Sequence, residues 1–215
     1  GGGPGRYAIE LAKRGYQVTL GDLSPGNVAL AKNKAEQAGV TLVECLELNV
    51  LDLSQLPDNH FDVVLLMGPL YHLHEETQRQ QAIQQALAKL KPGGRFFAAF
   101  ICRYAPIRAV ANLESDWLLT HREAFDEIWK NGTYDGDEFP NSYFAHPTEI
   151  APLMESCGLK TLDLIGVEGC VSMIEDEINK LEGELWEAWV DVNYQIGKDP
   201  SMHGGAEHLL YVGEK

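Results

Sequence analysis

The sequence has few basic residues for its length. It contains 17 lysines and arginines against 32 aspartates and glutamates, which gives a net charge of −15. Nucleic-acid-binding proteins contact phosphates with clustered lysines and arginines, and the sequence shows no such cluster. We therefore expect no nucleic-acid substrate and no binding to an anionic membrane surface.

The sequence is also short of cysteines and of long apolar runs. Its four cysteines, Cys45, Cys102, Cys157 and Cys170, form no Cys-X-X-Cys pair, which predicts buried, reduced thiols. No apolar run approaches the roughly 18 residues that indicate a membrane-spanning helix. No signal peptide is visible. These absences predict a cytoplasmic protein without a membrane span.

Helix and strand patterns alternate along most of the 215 residues. Strands are predicted for the apolar segments at residues 16–22, 40–49, 61–68, 95–103, 160–167 and 207–215. Helices are predicted between them, at residues 6–14, 25–39, 75–90, 147–157 and 172–196. This order predicts an α/β fold in which helices cover both faces of a mostly parallel sheet. The continuous apolar run at 61–68 is expected to be buried on both faces.

Residues 103–146 interrupt this alternation and contain no clear strand. The segment is rich in acidic and aromatic residues, and its aromatic residues are Trp117, Phe125, Trp129, Tyr134, Phe139, Tyr143 and Phe144. We interpret it as an inserted substrate lid in which most of the aromatic residues form a small core. An acidic, aromatic lid suits a neutral or cationic substrate. Residues 1–102 and 147–215 are then the single domain that carries the lid.

The first five residues, Gly1 to Gly5, form a glycine-rich turn before a predicted helix. Free backbone N–H groups in such a turn can bind an anionic or polar group, and the missing Cβ atoms allow close approach. Asp22 ends the next strand, where a carboxylate can bind both ribose hydroxyls of an adenosine. Alternatively, Asp22 only caps the helix that begins after Ser24. Nicotinamide dinucleotides and S-adenosylmethionine both fit these residues.

Longer segments distinguish between these two cofactors. They read GGGPGRYAIELAKRGYQVTLGDLSPGNVALAK at 1–32, FDVVLLMGPLYHL at 61–73 and ALAKLKPGGRFFAAF at 86–100. Together they resemble the class I S-adenosylmethionine-dependent methyltransferases, most closely the small-molecule branch found among bacteria. The resemblance implies a Rossmann-like, doubly wound sheet whose antiparallel last strand is EHLLYVGEK at 207–215. It also places an acidic residue and a first strand just before Gly1, where the sequence given has no residues.

The resemblance implies a site for S-adenosylmethionine, whose product is S-adenosylhomocysteine. The positions that correspond to the family's cofactor site are Gly1, Gly3, Gly5, Asp22, Leu23, Asn49, Val50, Met67 and Gly68. The glycines would lie beneath the methionine part and the ribose, Asp22 would bind the ribose, and Leu23 would pack on the adenine. The backbone of Met67 and Gly68 would meet the methionine amine. Asn49 stands where the family often has an aspartate that binds the adenine amino group, so it departs from the pattern.

Methyl transfer is an in-line displacement that depends largely on how the two reactants are positioned. A hydroxyl or thiol acceptor also needs a base to remove its proton. His72 is the preferred base and Tyr71 a pocket residue, because both follow a strand at the ligand-binding edge of the sheet. His72 can instead bond nearby backbone, and Tyr71 can simply pack. Tyr143 and His146, where the lid rejoins the sheet, are further catalytic candidates, and His203 is a more distant one.

The sequence leaves several alternatives open. A nicotinamide-dependent oxidoreductase, a binding protein that no longer transfers methyl groups, and an enzyme that transfers an aminopropyl group remain beside the methyltransferase. The acceptor atom and the formation of a homodimer are equally open. No metal site is predicted, because the histidines and glutamates at residues 72–76 lack the spacing of a ligand set.

Overall fold

The computed structural model describes residues 1–113, 116–137, 139–172 and 174–215. Its helices are α1 (Arg6–Lys13), α2 (Pro25–Gln37), α3 (Glu76–Lys89), α4 (Ala105–Leu113), α5 (Trp117–Thr120), α6 (Arg122–Asn131), α7 (Pro147–Ser156), α8 (Glu175–Ile178) and α9 (Gly183–Gly197). Its strands are β1 (Thr19–Asp22), β2 (Glu44–Glu47), β3 (Phe61–Leu66), β4 (Leu90–Cys102), β5 (Thr133–Tyr134), β6 (Ser142–Ala145), β7 (Lys160–Gly166) and β8 (His208–Glu214). Short 3₁₀ turns occupy Pro69–His72, Gly169–Val171 and Pro200–Gly205.

The strands form a mostly parallel arrangement with an antiparallel last strand. β1 pairs in parallel with β2, and β3 pairs in parallel with β4. β8 lies between β4 and β7 and is antiparallel to both, so β7 runs parallel to β4. The Rossmann-like α/β fold expected from the sequence is therefore confirmed.

The β1–β2 pair is joined to the larger sheet through the glycine-rich turn. The amino group of Gly1 and the N–H of Gly2 both donate to the Gly21 carbonyl oxygen, at 3.0 and 2.8 Å. On its other side, a Cβ built on Gly1 would lie only 2.5 Å from Cδ of Pro69. The turn thus lies between the carboxyl ends of β1 and β3. The first strand expected before Gly1 stays a prediction.

β3 is less buried than its apolar sequence predicts. Val63 is 48% exposed and Leu65 39%, whereas Leu66 is 5% exposed. Side chains alternate between the faces of a strand, so Val63 and Leu65 share one face. In the described ranges β3 pairs only with β4 and forms an edge of the larger sheet. The prediction that this strand is buried on both faces is therefore wrong.

The main hydrophobic core is built around β4. Alternate residues of its second half, Phe96, Ala98, Phe100 and Cys102, are each at most 1% exposed, as expected for one face of a strand. They belong to the same core as Leu209 and Tyr211 of β8 and as Ile83, Ile150 and Met154 of α3 and α7. A smaller core joins α1 and α2 to β1.

Two predicted boundaries are wrong. The KPGG segment at 91–94 does not separate a helix from a strand, because β4 begins at Leu90 directly after α3. Its pairing with β3 then shifts register between Phe61 and Val63, which accommodates this segment. The helix predicted at 172–196 is divided into α8 and α9, with Gly183 in the left-handed region at φ 59° where α9 begins. Met173, within that prediction, lies outside the described residues.

The predicted lid contains α4, α5 and α6, and it also contains two strands. β6 pairs in parallel with the last residues of β4 and antiparallel with β5, so the prediction of a segment without strands is wrong. All four residues of β6 are buried, so the strand has no alternating pattern that the sequence could reveal. Trp117, Ile128 and Phe144 form the small separate core that was predicted. Glu114, Ser115 and Glu138 lie outside the described residues, and the lid boundaries stay a prediction.

The cysteines follow the prediction only in part. All four are free thiols, and Cys102 and Cys157 are buried. Cys45 is half-buried and Cys170 is exposed, because Cys170 lies in the 3₁₀ turn after β7 rather than in a strand. Among the described residues, no helix has the length and apolar character needed to cross a membrane.

An ion pair between the buried Arg103 and the exposed Glu149 joins the end of β4 to the start of α7. Arg103, 6% exposed, donates to Oε2 of Glu149 at 2.7 Å and to the Phe144 carbonyl oxygen at 3.3 Å. The same Oε2 accepts from the Tyr143 hydroxyl at 3.0 Å and from the N–H of His146 at 3.2 Å. Glu149 also lies in the first turn of α7, where negative charge is favourable. The Glu149 carboxylate therefore bonds to Arg103 at the first residue of the predicted lid and to His146 at its last residue.

Removing this carboxylate should destabilise the fold. In Glu149→Ala the buried Arg103 loses its charged partner and Tyr143 loses its acceptor. We expect the free energy of unfolding in urea to fall by about 2 kcal/mol, less than for a fully buried pair because Glu149 is partly exposed. Glu155→Ala, at an exposed position of the same helix, is the matched control and should change it by less than about 0.5 kcal/mol. Equal stabilities of the two variants would contradict this interpretation of the junction.

Candidate functional site

The glycine-rich turn is fastened to Asp22 at the end of β1. The N–H of Gly3 donates to Oδ2 of Asp22 at 2.8 Å. Oδ1 accepts from the N–H of Ser24 at 2.9 Å and from the side-chain amide of Asn27 at 3.1 Å. Asp22 is only 7% exposed. The carboxylate therefore holds the turn against the beginning of α2, whose N-cap is Ser24 rather than Asp22.

Asp22 nevertheless retains capacity for a ligand. Burial disfavours its charged form, but the hydrogen bonds from Ser24, Gly3 and Asn27 outweigh that penalty and lower the pKa of Asp22. A carboxylate has about four acceptor positions, and these three bonds leave one of them on Oδ2. A charged carboxylate oxygen at the end of a strand can accept a hydrogen bond from a ribose hydroxyl.

The backbone of the turn is open to close approach. Gly3 has φ 53°, in the left-handed region, and no heavy atom lies within 4 Å of a Cβ built there. Gly5 has φ 87° immediately before α1 and packs against Ala31, which a Cβ would approach to 3.1 Å. Glycine is therefore required at both positions, by conformation at Gly3 and by conformation and packing at Gly5. A bound molecule can contact the turn directly at Gly3.

The other residues predicted to bind a cofactor lie at neighbouring strand ends. Leu23 follows Asp22 and is 65% exposed, so its side chain is available to pack on a flat ring. The N–H of Leu48 donates to the Asp22 carbonyl oxygen at 2.9 Å, which brings the next residue, Asn49, to the same edge. Val50 follows Asn49 and packs against the main core.

Asn49 has a local hydrogen bond that the prediction did not include. Its Oδ1 accepts from the N–H of Leu51 at 3.0 Å. This bond uses one of the two lone pairs that an amide oxygen offers, and the other lone pair remains for the adenine amino group. The assignment of Asn49 to the adenine stays a prediction.

Met67 and Gly68 connect β3 to the 3₁₀ turn at Pro69–His72. A Cβ built on Gly68 would lie 3.7 Å from the Gly1 carbonyl oxygen and 3.6 Å from the Tyr71 hydroxyl. The end of β3, the glycine-rich turn and the Tyr71 phenol are therefore neighbours, as the sequence predicts. Tyr71 is half-buried, and burial raises the pKa of its hydroxyl.

The imidazole of His72 contacts two aromatic rings and forms no hydrogen bond with the described residues. Its ring contacts the Tyr71 ring at 4.9 Å and Phe139 of the lid at 5.1 Å between centroids. In the part of the chain that the structure describes, the ring forms no hydrogen bond, so the alternative of a backbone bond is not realised. Partial burial lowers the pKa of His72. The ring is therefore mainly neutral at pH 7 and can accept a proton.

Arg79 of α3 positions the His72 segment, and sequence reasoning missed it. Its Nη1 donates to the carbonyl oxygens of Leu73 and His74, each at 2.6 Å. Its guanidinium lies over the Tyr143 ring, 3.5 Å from the centroid, and Arg79 is only 5% exposed. A single arginine on an amphipathic helix belongs to no motif, so no signal in the sequence pointed to this role.

Tyr143 is buried and does not line an open surface of the site. It is 6% exposed and donates its hydroxyl to Glu149. Burial, together with the negative charge of Glu149, raises the pKa of Tyr143 to about 12. The phenol is therefore protonated at neutral pH and supports the network between Arg79 and Glu149. Its predicted position at the methyl group stays a prediction.

The two remaining candidates, His146 and His203, lie near the carboxyl end of β4. His146 caps α7, because its Nδ1 accepts from the N–H of Thr148 at 3.3 Å, and its Nε2 lies 2.9 Å from the Tyr104 hydroxyl. His203 is in the 3₁₀ turn before β8 and is 5% exposed. Within the described ranges, Nε2 of His203 has no hydrogen-bond partner, and no group of three or more potential metal ligands occurs.

Comparison with known proteins finds a family similarity in the N-terminal part of the chain. The sequence profile of a family described as "Methyltransferase domain" matches residues 1–98. This match includes the glycine-rich turn, Asp22 and the segment that follows β3. It therefore covers every residue assigned above to a cofactor.

Two curated relatives extend the similarity to most of the chain. A ubiquinone biosynthesis O-methyltransferase of Paramagnetospirillum magneticum is 31% identical over 198 residues, which cover 91% of this chain and 68% of that protein. A protein of the same name from Coxiella burnetii is 29% identical over 168 residues, which cover 78% and 64%. The chain thus spans about two thirds of the length of the curated relatives it matches.

Solved structures support the fold. An S-adenosylmethionine-dependent methyltransferase from Methanosarcina mazei matches with a TM-score of 0.66 and 17% identity, over 100% of this chain and 89% of that one. The N-methyltransferase NodS of Bradyrhizobium japonicum, in complex with S-adenosylhomocysteine, matches with a TM-score of 0.55 and 14% identity, over 99% and 73%. At these identities the likeness shows a shared fold.

Replacing Asp22 should weaken cofactor binding. Asp22→Ala removes the acceptor for a ribose hydroxyl and releases Gly3, so we expect the dissociation constant of S-adenosylhomocysteine to rise about 10- to 150-fold. Because the pKa of Asp22 is lowered below the usual 3.8, the carboxylate stays charged down to about pH 5 and its contribution should not change above that pH. Isothermal titration calorimetry measures both effects.

The matched control is Asp191→Ala, at an exposed position of α9. It should leave the affinity for S-adenosylhomocysteine unchanged. An Asp22→Ala variant that binds as tightly as the wild type would contradict the assignment of this site.

Proposed function

Because this chain belongs to the class I S-adenosylmethionine-dependent methyltransferase family, we propose that it transfers the methyl group of S-adenosylmethionine to a hydroxyl oxygen of a small molecule. The observation that carries the choice of oxygen over nitrogen is the free His72 imidazole. It lies in the turn that starts next to Gly1, so a proton acceptor is within the candidate site. An oxygen acceptor, unlike a neutral amine, needs such a group.

The residues present fit the cofactor. Gly3 offers an open backbone, Asp22 has one unused carboxylate position, and Leu23 exposes an apolar side chain beside them. Bound S-adenosylmethionine supplies a methyl group on a positively charged sulfur. The protein's own task is then to place an acceptor oxygen in line with that methyl group and to exclude water.

In the proposed mechanism His72 accepts the proton of the acceptor hydroxyl. Its lowered pKa keeps the ring neutral at pH 7, and Arg79 holds the segment that carries it. Phe139 of the lid packs against His72, so the lid can keep bulk water from the developing oxyanion. Tyr71, beside Gly68, forms a further wall.

The names of the relatives support oxygen as the acceptor atom. Both curated relatives described above are O-methyltransferases, which favours methyl transfer over the nicotinamide-dependent reaction and over a binding protein without activity. The acidic composition of the lid favours a neutral or cationic acceptor. The homodimer left open by the sequence has a candidate surface in α9, where Leu185, Val190 and Val192 are 44–55% exposed.

A direct experiment tests this function. The intact protein is incubated with S-adenosylmethionine and a panel of small phenols, alcohols and amines, and formation of S-adenosylhomocysteine is followed by mass spectrometry. Methylated oxygen in a product supports the proposal. Methylation confined to nitrogen, or turnover with none of the panel, contradicts it.

Replacing His72 should reduce the rate of methyl transfer without weakening the binding of the cofactor. In His72→Gln we expect kcat to fall about 10²- to 10⁴-fold, since the proton acceptor is lost, while affinity for S-adenosylhomocysteine is kept. The wild-type rate should fall as the pH decreases through the pKa of His72, which lies below the usual 6.5, because only the neutral ring can accept a proton. The variant should lack this dependence.

The control for this variant is His60→Gln, an exposed histidine just before β3. Its rate and pH profile should match those of the wild type. If His72→Gln kept the wild-type rate and pH profile, His72 would not be the base.

A further inference from the structure

We propose that the Tyr104 hydroxyl donates a hydrogen bond to a second oxygen atom of the acceptor molecule, and that His146 holds Tyr104 in this role. The inference rests on the proposed function and names an acceptor-binding residue for it. It follows from the hydrogen bonds of His146, from the location of Tyr104 and from the absence of another partner for its hydroxyl.

The hydrogen bonds of His146 determine where its proton lies. Nδ1 of His146 accepts from the backbone N–H of Thr148 at 3.3 Å, and the Thr148 hydroxyl lies 2.8 Å from the same atom. A backbone N–H can only donate, so Nδ1 must carry a lone pair. A neutral imidazole has one proton, which is therefore on Nε2. The capping of α7 thus selects one tautomer of His146.

This tautomer sets the direction of the bond to Tyr104. Nε2 of His146 lies 2.9 Å from the Tyr104 hydroxyl and, because it carries the proton, donates to that oxygen. Nε2 is then not available as a proton acceptor, so His146 acts in this proposal as a positioning residue, and its predicted place among the catalytic residues stays a prediction. The hydroxyl of Tyr104 keeps its own hydrogen for another acceptor, and accepting a bond strengthens it as a donor.

The described residues offer no second partner for the Tyr104 hydroxyl. Its only hydrogen bond among them is the one with His146, and the residue is half-buried. A donor in such a position is expected to be satisfied by water or by a ligand. An oxygen atom of a bound small molecule can take that bond.

Tyr104 lies where an acceptor molecule would be held. It comes two residues after β4, at the carboxyl end of that strand, where the last residues of β4 pair with β6 and β3 pairs with β4 only as far as Ala98. The Tyr104 ring is 6.0 Å from the Trp129 ring of the lid, and a Cβ on Gly204 would lie 3.4 Å from it. The lid and the turn before β8 thus meet at Tyr104, on the edge of the sheet that carries the cofactor residues.

The arrangement predicts the kind of acceptor. His72 would take the proton of the reacting hydroxyl, and Tyr104 would bind an oxygen elsewhere on the same molecule. An acceptor with two oxygen atoms should therefore be preferred over one with a single hydroxyl. A site built around a hydrogen bond discriminates against an analogue that lacks the bonded group.

The test uses the three dihydroxybenzenes and phenol as probes with the intact protein. We expect kcat/KM of the wild type for at least one dihydroxybenzene to exceed that for phenol about tenfold or more, and Tyr104→Phe to remove most of this preference. Tyr16→Phe, at an exposed position, is the matched control and should keep it. A preference unchanged in Tyr104→Phe, or no preference in the wild type, would overturn the inference.

The role of His146 is tested with two substitutions. His146→Gln retains a side-chain N–H that can reach Tyr104, whereas His146→Leu has no donor. We expect the leucine variant to lose the preference as Tyr104→Phe does, and the glutamine variant to retain most of it. A merely structural role of His146 in capping α7 would instead lower thermal stability in both variants and leave the preference unchanged.

Binding measurements separate this inference from the proposed function. Calorimetry with each dihydroxybenzene and the protein–S-adenosylhomocysteine complex should show binding that Tyr104→Phe weakens about tenfold. Such binding without any methylated product would overturn the proposed function and keep the inference. Methylation that does not depend on Tyr104 would overturn the inference and keep the proposed function. If the protein neither binds nor methylates any of the probes, both claims are overturned.

Discussion

The hydrogen bond between the N–H of Gly3 and the carboxylate of Asp22 is the constraint on which the candidate site depends. A turn made almost entirely of glycine has few side chains to pack, so it is held mainly by hydrogen bonds from its backbone N–H groups. Those bonds run to the Gly21 carbonyl oxygen and to Asp22. The same carboxylate accepts from the N–H of Ser24 and from the side-chain amide of Asn27 at the start of α2. One buried charge thus fixes the turn, a helix and the expected ribose position together.

A second hydrogen-bond network, which joins the buried Arg79, Tyr143 and Arg103 to Glu149, supports the side of the site that would hold the acceptor. Arg79 fixes the backbone after His72, and its guanidinium lies over the Tyr143 ring. Glu149 accepts hydrogen bonds from Tyr143, Arg103 and the N–H of His146. The two histidines at this edge therefore have different chemistry. His72 has no hydrogen bond within the described ranges and can accept a proton, whereas His146 is committed to α7 and to Tyr104. Position within these networks, rather than residue type, decides each role.

Local signals made much of the fold predictable. Ser24 accepts from the N–H of Asn27 and is followed by Pro25 at the start of α2, and Gly15 has φ 88° just after α1; both follow from residue chemistry within a few positions. The order of helices and strands also followed from the sequence, whereas the antiparallel direction of β8 was implied by the resemblance to the methyltransferases. β6 did not, because its burial comes from contacts with β4 and the lid that are distant in the chain.

The candidate site was predictable to a similar extent and for the same reason. Asp22 and the glycines belong to a contiguous pattern, so their positions were expected. Arg79 and Tyr104 belong to none, since each owes its role to partners far along the chain. The hydrogen bond from Leu51 to Asn49 and the capping by His146 are local, but the sequence offers competing uses for both side chains.

The measurement that tests the central claim most directly is a calorimetric titration of the intact protein with S-adenosylhomocysteine and, separately, with NAD and NADP. The account predicts one S-adenosylhomocysteine bound per chain with a dissociation constant in the micromolar range, and no binding of either dinucleotide. Binding of a dinucleotide in place of S-adenosylhomocysteine would contradict it.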